Sequence, residues 1–328
     1  MTYFITGGTS SIGRVLIKEL AKTGAETRVL ARAKSNRSGL NLPGVKFVMG
    51  DVTDTASVRQ GMLGCERVVH MAALVGQSAS EDEWWRVNRD GSRNVLQAAC
   101  DQGVHSLVMV SSLSVLGTTE PGEVADESRP INEAHYLNFY QKTKRAADQL
   151  ARDFAGNGLP VKIVYPGFGY GCSFASSHPS FQDQTLLRMA AGKPVVIMGS
   201  GKNPLFVAYY NDTVKGILAA GEKGKIGDDY ILGNASLNFV EIWAVIAKVL
   251  AKKPPRLRVP LPVIKAISAL SEILTGKVIF PSQFLEMVAY NWNFSSAKAQ
   301  TVLDWHPQSF ETSMEDTWRE YQAGKLVR

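Results

Sequence analysis

Residues 3 to 13, Tyr-Phe-Ile-Thr-Gly-Gly-Thr-Ser-Ser-Ile-Gly, join a short apolar run to a glycine-rich turn. The apolar run over residues 3–5 predicts a buried parallel strand, and apolar residues at helical spacing predict a helix over residues 14–21. A strand, a glycine turn and a helix N-terminus together form an anion site, because the N–H groups and dipole of the first helical turn face the ligand. The stretch therefore predicts an α/β fold with a dinucleotide-binding loop. Glycine turns also join strands to helices without any ligand, so an ordinary connector is the alternative.

This stretch resembles the fingerprint of the extended short-chain dehydrogenases/reductases, the NAD-dependent epimerase/dehydratase family, which is Thr-Gly-x-x-Gly-x-x-Gly. Thr6, Gly7 and Gly13 match the fingerprint, and Ser10 replaces its middle glycine. By resemblance, the pyrophosphate of the coenzyme is expected to lie against Thr6, Gly7, Thr9, Ser10, Ser11, Ile12 and Gly13.

The resemblance runs from Tyr3 to about Tyr321 and implies a domain organisation. Residues 1–171 are expected to form a Rossmann-type doubly wound parallel sheet, to which residues 206–233 return. Residues 172–205 and 234–328 are expected to form a smaller, mostly helical substrate domain.

Two later motifs carry the candidate chemistry. The predicted strand 107–110 ends in Ser111 and Ser112, and Tyr140 lies four residues before Lys144, one above the other on a helix. A free tyrosine has a pKa of about 10, and a neighbouring ammonium group lowers that pKa because it favours the anion. By resemblance, Ser112 is the catalytic serine, Tyr140 exchanges the proton, and Lys144 holds the nicotinamide ribose.

The residue after the second predicted strand, over residues 27–31, bears on the choice of coenzyme. NAD enzymes usually place Asp or Glu at that point to bind the ribose diol. This chain has Arg32 there, followed by Lys34 and Arg37. A guanidinium group suits the additional 2′-phosphate of NADP. We expect NADP(H) as the preferred coenzyme and NAD(H) as the second choice, and a solvated basic loop is the alternative interpretation.

The resemblance implies further coenzyme contacts at other strand ends. Asp51 is expected to bind the adenine amino group, with a helix N-cap as its alternative role. Asn88 is expected to brace the active-site backbone, with an ordinary place near a helix start as its alternative, and His70 is expected to be a hydrogen-bonded core residue. The remaining predicted contacts are Val52, Ala72, Ala73, Tyr140, Lys144 and Pro166, the last bordering the nicotinamide.

The substrate is predicted from two replacements. Relatives that act on nucleotide sugars commonly carry Asn and Arg where this chain has Phe168 and Leu205. Together with Phe174, these residues favour an uncharged, hydrophobic ligand. The C-terminal half resembles the 3β-hydroxysteroid dehydrogenase and dihydroflavonol reductase branch, which includes sterol-4-carboxylate dehydrogenases. We therefore expect an oxidoreductase acting on a hydroxyl or keto group of a polycyclic, steroid- or triterpenoid-like compound.

Two other functions stay open at this stage. One is a nucleotide-sugar epimerase or dehydratase on the same scaffold, which tight binding of UDP would support. The other is a non-catalytic NADP-binding sensor, which the complete set of Ser112, Tyr140 and Lys144 disfavours.

Composition limits the remaining classes. The chain has 328 residues and a net charge of +6. Its basic residues are spread along the sequence instead of forming one stripe, which favours a small-molecule partner over nucleic acid. The three cysteines show neither metal-ligand nor disulfide spacing. We expect no metal, a cytoplasmic location and a homodimer, with membrane contact that is peripheral at most. The apolar helix predicted over residues 259–274 either covers the substrate pocket, which we favour here, or touches a membrane surface.

Overall fold

The computed structural model describes residues 1–75, 79–171, 180–276, 279–280 and 282–324. Its strands are β1 (Thr2–Thr6), β2 (Glu26–Ala31), β3 (Val45–Met49), β4 (Arg67–His70), β5 (Ser106–Val110), β6 (Val161–Pro166), β7 (Phe168–Tyr170), β8 (Ile197–Met198), β9 (Leu205–Tyr209), β10 (Asp229–Leu232), β11 (Ala235–Leu237) and β12 (Arg258–Val259).

The helices begin with α1 (Ser11–Lys22), α2 (Thr55–Met62), α3 (Glu81–Trp84), α4 (Gly91–Asp101), α5 (Phe139–Gly156) and α6 (Phe181–Ala190). They continue with α7 (Tyr210–Lys223), α8 (Phe239–Val249), α9 (Leu261–Thr275), α10 (Ser282–Ala289), α11 (Ala297–Leu303) and α12 (Phe310–Gln322). A π-helical segment, Trp85–Asp90, joins α3 to α4, and 3₁₀ turns cover Leu113–Leu116 and Glu133–His135.

The main sheet has seven parallel strands in the order β10-β6-β5-β4-β1-β2-β3. From β1 the chain moves outward through β2 and β3, and it then returns to β4 on the other side of β1. The strand order therefore reverses between β1 and β4. In open α/β sheets, ligands bind outside the carboxyl ends of the strands at such a reversal. The predicted doubly wound parallel sheet is confirmed.

Apolar side chains fill both faces of this sheet, as a parallel sheet covered by helices requires. Phe4, Val68 and Leu107 belong to one hydrophobic cluster, on the face that α2, α4 and α5 cover. Ile5, Val69 and Val108 belong to the other cluster, on the face where α1 and α7 pack against each other.

Of the strands within residues 206–233, which were expected to return to the main sheet, only β10 pairs with it. β10 pairs with β6 at the edge of the main sheet, whereas β9 pairs with β7 and β11 in a separate three-stranded sheet. β12 and β8 form a further two-stranded pair. The division into two domains stays a prediction.

α7 begins at Tyr210, with Tyr209 as its N-cap residue, so Asp212 lies in its first turn. Asp212 accepts a hydrogen bond from the backbone N–H of Gln308 at 2.8 Å and pairs with Lys215 at 3.1 Å. Its carboxylate therefore ties α7 to the C-terminal segment, a long-range role that local sequence does not show.

Among the described residues, none of the helices combines the length and apolar character needed to cross a lipid bilayer.

Candidate active site

The glycine turn brings α1 close to the carboxyl end of β1. Gly7 has a φ of +73°, and a Cβ atom there would lie 2.7 Å from the backbone nitrogen of Ala72. A Cβ atom on Gly13 would lie 2.4 Å from the carbonyl oxygen of Gly7. Both distances are far inside normal contact, so these two positions require glycine for the helix to pack this close to the strand.

Ser10, which replaces the middle glycine of the fingerprint, caps α1. Its hydroxyl oxygen accepts a hydrogen bond from the N–H of Gly13 at 3.2 Å and donates one to the carbonyl of Gly7 at 2.7 Å. The serine therefore stabilises the turn from within, as an N-cap does.

A cleft of about 430 Å³ opens above this turn at the carboxyl ends of β1, β2 and β4. Eleven of the predicted coenzyme residues line it together: Thr6, Gly7, Thr9, Ser10, Ser11, Ile12, Arg32, Asp51, Val52, Ala72 and Ala73. The first turn of α1 therefore faces an open groove, which is the arrangement that binds a pyrophosphate. The backbone N–H groups and hydroxyls that line the groove fit the pyrophosphate of a dinucleotide.

A second, more open cavity of about 760 Å³ continues the cleft past Arg32 and Asp51. Arg32, Lys34 and Ser35 line it, and the side chain of Arg32 is exposed. Arg37 turns aside, because its guanidinium lies 5.7 Å from the centre of the Phe47 ring. Arg32 and Lys34 therefore line the same cavity beside the cleft, and their contact with a coenzyme stays a prediction.

Asp51 does not cap the following helix. Asp54 is the N-cap of α2 and accepts a hydrogen bond from the N–H of Ala56 at 3.0 Å. The carboxylate of Asp51 instead accepts from the backbone and hydroxyl of Thr53, both at 2.9 Å, while it lines the cleft. The alternative role as a cap is thus removed, and the contact with adenine stays a prediction.

Arg14 supports the basic loop and was not singled out by the sequence pattern. Its side chain is 1% exposed, and its guanidinium donates hydrogen bonds to the carbonyls of Thr9, Asn36 and Ser38. Burial lowers its pKa. One side chain therefore connects the glycine turn to the loop that carries Arg32, and only the tertiary structure shows this connection.

Ser112 and Tyr140 meet at the carboxyl end of β5. A hydrogen bond from Ser112 lowers the pKa of Tyr140, but burial, the stronger effect, raises it overall. Gln141 donates a hydrogen bond to the carbonyl of Ser114 at 3.0 Å, which holds α5 against the serine turn. In the protein alone the Tyr140 phenol is thus protonated at neutral pH. The sequence had predicted a lowered pKa; burial in this structure outweighs the effects that lower it.

Lys144 lies one helical turn after Tyr140 and is 3% exposed. Its amine donates a hydrogen bond to the carbonyl oxygen of Val110 at 2.9 Å, directly before the serine pair. Burial lowers the pKa of Lys144 to about 8, and the carboxylate of Asp148 partly opposes this shift. The amine therefore sits at the same strand end as Ser112 and is close to its titration point at physiological pH.

A buried network fixes the back of α5. The hydroxyl of Tyr165 donates to Asp148 at 2.7 Å, and Arg152 donates to Tyr165 at 2.9 Å and pairs with Asp229. Arg152 supplies the cation of this network from α5, so the helix with Tyr140 and Lys144 stays tied to the sheet.

Asn88 braces the backbone as expected but does not line the cleft. It is 1% exposed; its carbonyl oxygen accepts from the N–H of Leu74 at 2.7 Å, and its amide donates to Thr143 at 3.1 Å. These bonds join the segment after β4 to α5, so Asn88 positions the site instead of touching the coenzyme. His70 is the predicted core residue, because its ring nitrogens lie 2.6 Å from the Thr6 hydroxyl and 2.9 Å from the Ser92 hydroxyl.

The three predicted substrate residues have different surroundings. Phe168 is partly buried, and its ring packs edge-on against Trp292 at 5.4 Å. Leu205 is 1% exposed and belongs to the core, so its side chain is not accessible to a substrate. Phe174 lies outside the described residues. Trp84 lies beside the catalytic phenol, its ring centre 6.2 Å from that of Tyr140.

Tyr210 is a cleft residue that the sequence did not identify as one. It lines the groove opposite Val87 and Val75, and its ring packs against Gly169 so closely that a Cβ atom there would lie 2.3 Å away. Pro166 ends β6 next to β10. Neither Pro166, Tyr140 nor Lys144 lines the described groove, so their contacts with the coenzyme stay predictions.

Within the described ranges, no three His, Cys, Asp or Glu side chains are grouped so that they could hold a metal ion. The nucleotide cleft at the sheet reversal and the assembled serine, tyrosine and lysine define a coenzyme-dependent oxidoreductase. The family model described as "NAD dependent epimerase/dehydratase family" matches residues 3–233. The chain belongs to this family.

Individual relatives support the same class. A 4-hydroxy-2-methyl-3-oxo-4-farnesyl-3,4-dihydroquinoline-1-oxide ketoreductase of Stigmatella aurantiaca is 29% identical over 71% of this chain and 68% of its own. Sterol demethylase protein B of Methylococcus capsulatus is 28% identical over 86% of this chain and 84% of its own. A dTDP-glucose 4,6-dehydratase from Bacillus anthracis, solved in complex with NAD, has a TM-score of 0.79 at 18% identity and covers 100% of this chain and 98% of its own. This last likeness shows the fold alone.

Proposed function

We propose that the protein is an NADP(H)-dependent oxidoreductase that interconverts a ketone and a secondary alcohol on an uncharged, polycyclic substrate of steroid or triterpenoid type. The observation that carries the proposal is the convergence of Ser112 and Tyr140 at the end of β5, where the Lys144 amine donates to the carbonyl of Val110. The indole of Trp84 beside Tyr140 supports a hydrophobic substrate. The names of the two sequence relatives, a ketoreductase and a sterol demethylase protein, agree with that class.

The residues of this chain have separate roles in such a reaction. The coenzyme, when bound, supplies or accepts the hydride. The Tyr140 phenol, which burial keeps protonated, gives its proton to the carbonyl oxygen during reduction. The Ser112 hydroxyl donates a hydrogen bond to the same oxygen as negative charge develops there. The Lys144 amine lies beneath them and adds positive charge when it is protonated.

The first prediction concerns the proton donor. Tyr140→Phe should reduce NADPH-dependent turnover by about 10²- to 10⁴-fold, because the substrate oxygen loses its proton source. Binding of NADPH should be unchanged. Turnover is followed by absorbance of the reduced nicotinamide with a ketosteroid, a dihydroflavonol and a dTDP-4-keto sugar, and binding is followed by calorimetry. Near-normal turnover of the variant would contradict the assignment, and preference for the sugar nucleotide would favour the epimerase/dehydratase alternative.

The second prediction concerns the coenzyme. Arg32→Ala should weaken NADPH binding roughly ten- to a hundredfold, because a charged hydrogen bond to the 2′-phosphate is lost, and should leave NADH binding unchanged. Arg37→Ala is the matched control, since Arg37 lies in the same loop but packs on Phe47. Calorimetric titration of both variants with both coenzymes measures the difference. Equal losses for NADPH and NADH, or equal effects of the two variants, would remove Arg32 from the proposal.

A further inference from the structure

Helix α9 exposes an apolar stripe to solvent. Ile264 and Ser268 are its buried residues, at 3% and 6% exposed. On another side, exposure reaches 46% for Val263, 47% for Ile267, 55% for Leu270 and 72% for Leu274. We call these four residues the α9 face. Monomeric soluble proteins rarely leave such contiguous apolar surface uncovered, so the face marks an interaction site.

The spacing of the α9 face makes it one continuous surface. Its members are separated by four, three and four residues, which aligns them along one side of a helix. The charged residues Lys265 and Glu272 each follow a member by two positions, a step of about 200° around the helix axis. The charges of α9 therefore lie opposite the apolar stripe, as in helices that lie in a membrane interface.

Basic side chains surround the start of this helix. Lys253, Arg256 and Arg258 are exposed in the segment that leads into α9, and so is the apolar Leu257 at 65%. Residues 251–280 contain six Lys or Arg and one acidic residue, Glu272. Basic residues beside an inserted apolar face are attracted to anionic lipid headgroups, each contributing about 1 kcal/mol near the surface in general.

We propose that the α9 face docks on an anionic lipid surface, with the basic segment before it contacting the headgroups. A second copy of this chain fits the face less well, because a symmetric contact would bring two basic segments together and repel them. The sequence favoured α9 as a roof over the pocket; the exposure of its apolar side favours the membrane instead.

The α9 face is connected to the active-site helix through α10. Ser268 of α9 donates a hydrogen bond to the carbonyl of Phe280 at 3.0 Å. In α10, Glu286 accepts one at 2.8 Å from Asn138, the N-cap residue of α5. Tyr140 lies in the first turn of α5.

Sedimentation with vesicles tests the proposal on the full-length protein, without coenzyme or substrate. The vesicles are pure phosphatidylcholine, or phosphatidylcholine with roughly one-third phosphatidylserine. The wild type should bind the second kind, and less so at high salt, which screens charge. The variant Ile267→Gln, Leu270→Gln, Leu274→Gln should lose binding about tenfold or more. Lys253→Gln, Arg256→Gln, Arg258→Gln should remove the preference for phosphatidylserine.

The matched control is Leu63→Gln, Val124→Gln, Ile226→Gln, which removes three apolar side chains of similar exposure, 60%, 62% and 58%, elsewhere on the surface. This variant should bind like the wild type. Failure of the wild type to bind anionic vesicles would overturn the proposal, as would equal loss in the control. A concentration-dependent dimer that only the α9 variant abolishes, without vesicle binding, would assign the face to a second copy. Because no turnover is measured, these results are independent of the proposed reaction.

Discussion

Lys144 is the candidate catalytic residue whose pKa burial changes most clearly. It is 3% exposed, it donates to the carbonyl of Val110, and burial lowers its pKa to about 8. In the unfolded chain the same amine has its ordinary pKa of about 10.5. Keeping it charged in the folded protein therefore costs stability below pH 8, where both states hold the proton.

This pKa difference predicts how stability depends on pH. Between pH 8 and 10.5 the unfolded state binds more protons than the folded state, so the wild type gains stability as the pH rises. Lys144→Met cannot titrate. Its free energy of unfolding relative to the wild type should therefore fall by about 3 kcal/mol over this range. Urea unfolding at several pH values measures the change.

Lys142→Met is the control for this experiment, because Lys142 is exposed on the same helix and its amine lies over the ring of Phe139. Its stability relative to the wild type should be constant over the same pH range. A constant difference for Lys144→Met as well would mean that the folded protein does not lower the pKa of this amine.

At the scale of elements, α1 can approach β1 closely because residue 13 is glycine and has no side chain. A Cβ atom on Gly13 would lie 2.4 Å from the carbonyl oxygen of Gly7, which is backbone and cannot rotate away. α1 must then move, and with it the turn that lines the cleft. The helix–strand unit and the coenzyme groove therefore share one steric requirement.

Two glycine substitutions in helices test this requirement. Gly13→Ala should lower the free energy of unfolding by about 1 to 3 kcal/mol, as overpacking does, and should weaken NADPH binding. Gly156→Ala, at the end of α5, meets no atom within 4 Å and should be neutral or stabilise the protein by up to about 1 kcal/mol. Urea unfolding and calorimetry measure both effects. Equal outcomes for the two variants would refute the steric argument.

Pairs of elements also meet through contacts that no local pattern predicts. Gln141 of α5 donates a hydrogen bond to the serine turn, and the hydroxyl of Tyr165 in β6 donates one to Asp148 of α5. The motif residues Ser112, Tyr140 and Lys144 were recognisable because they fall at fixed positions on their strand and helix. The residues that support them could not be recognised from the sequence, because the role of each depends on a hydrogen-bond partner in another element.

At the scale of the whole molecule, the reversal of strand order between β1 and β4 places the cleft. The two edges of the sheet are reached from this point in opposite directions, which leaves a crevice at the carboxyl ends of the central strands. The strands predicted over residues 3–5, 27–31 and 107–110 lie within one residue of the observed β1, β2 and β5. β7 and β11 are only three residues long, which is too short for an apolar pattern to predict them.

The sequence by itself determined the fold class and the glycine turn, because these depend on periodicity and spacing within single segments, and its resemblance to a known family pointed to the three catalytic candidates. Only the tertiary structure decided which side chains meet: Arg14 with the basic loop, Arg152 with Tyr165, and Asn88 with Thr143 behind the cleft. It also moved Leu205 into the core and left the α9 face exposed. The physical reason is that an apolar pattern shows which side of an element avoids water, whereas burial depends on whether another element arrives to cover that side.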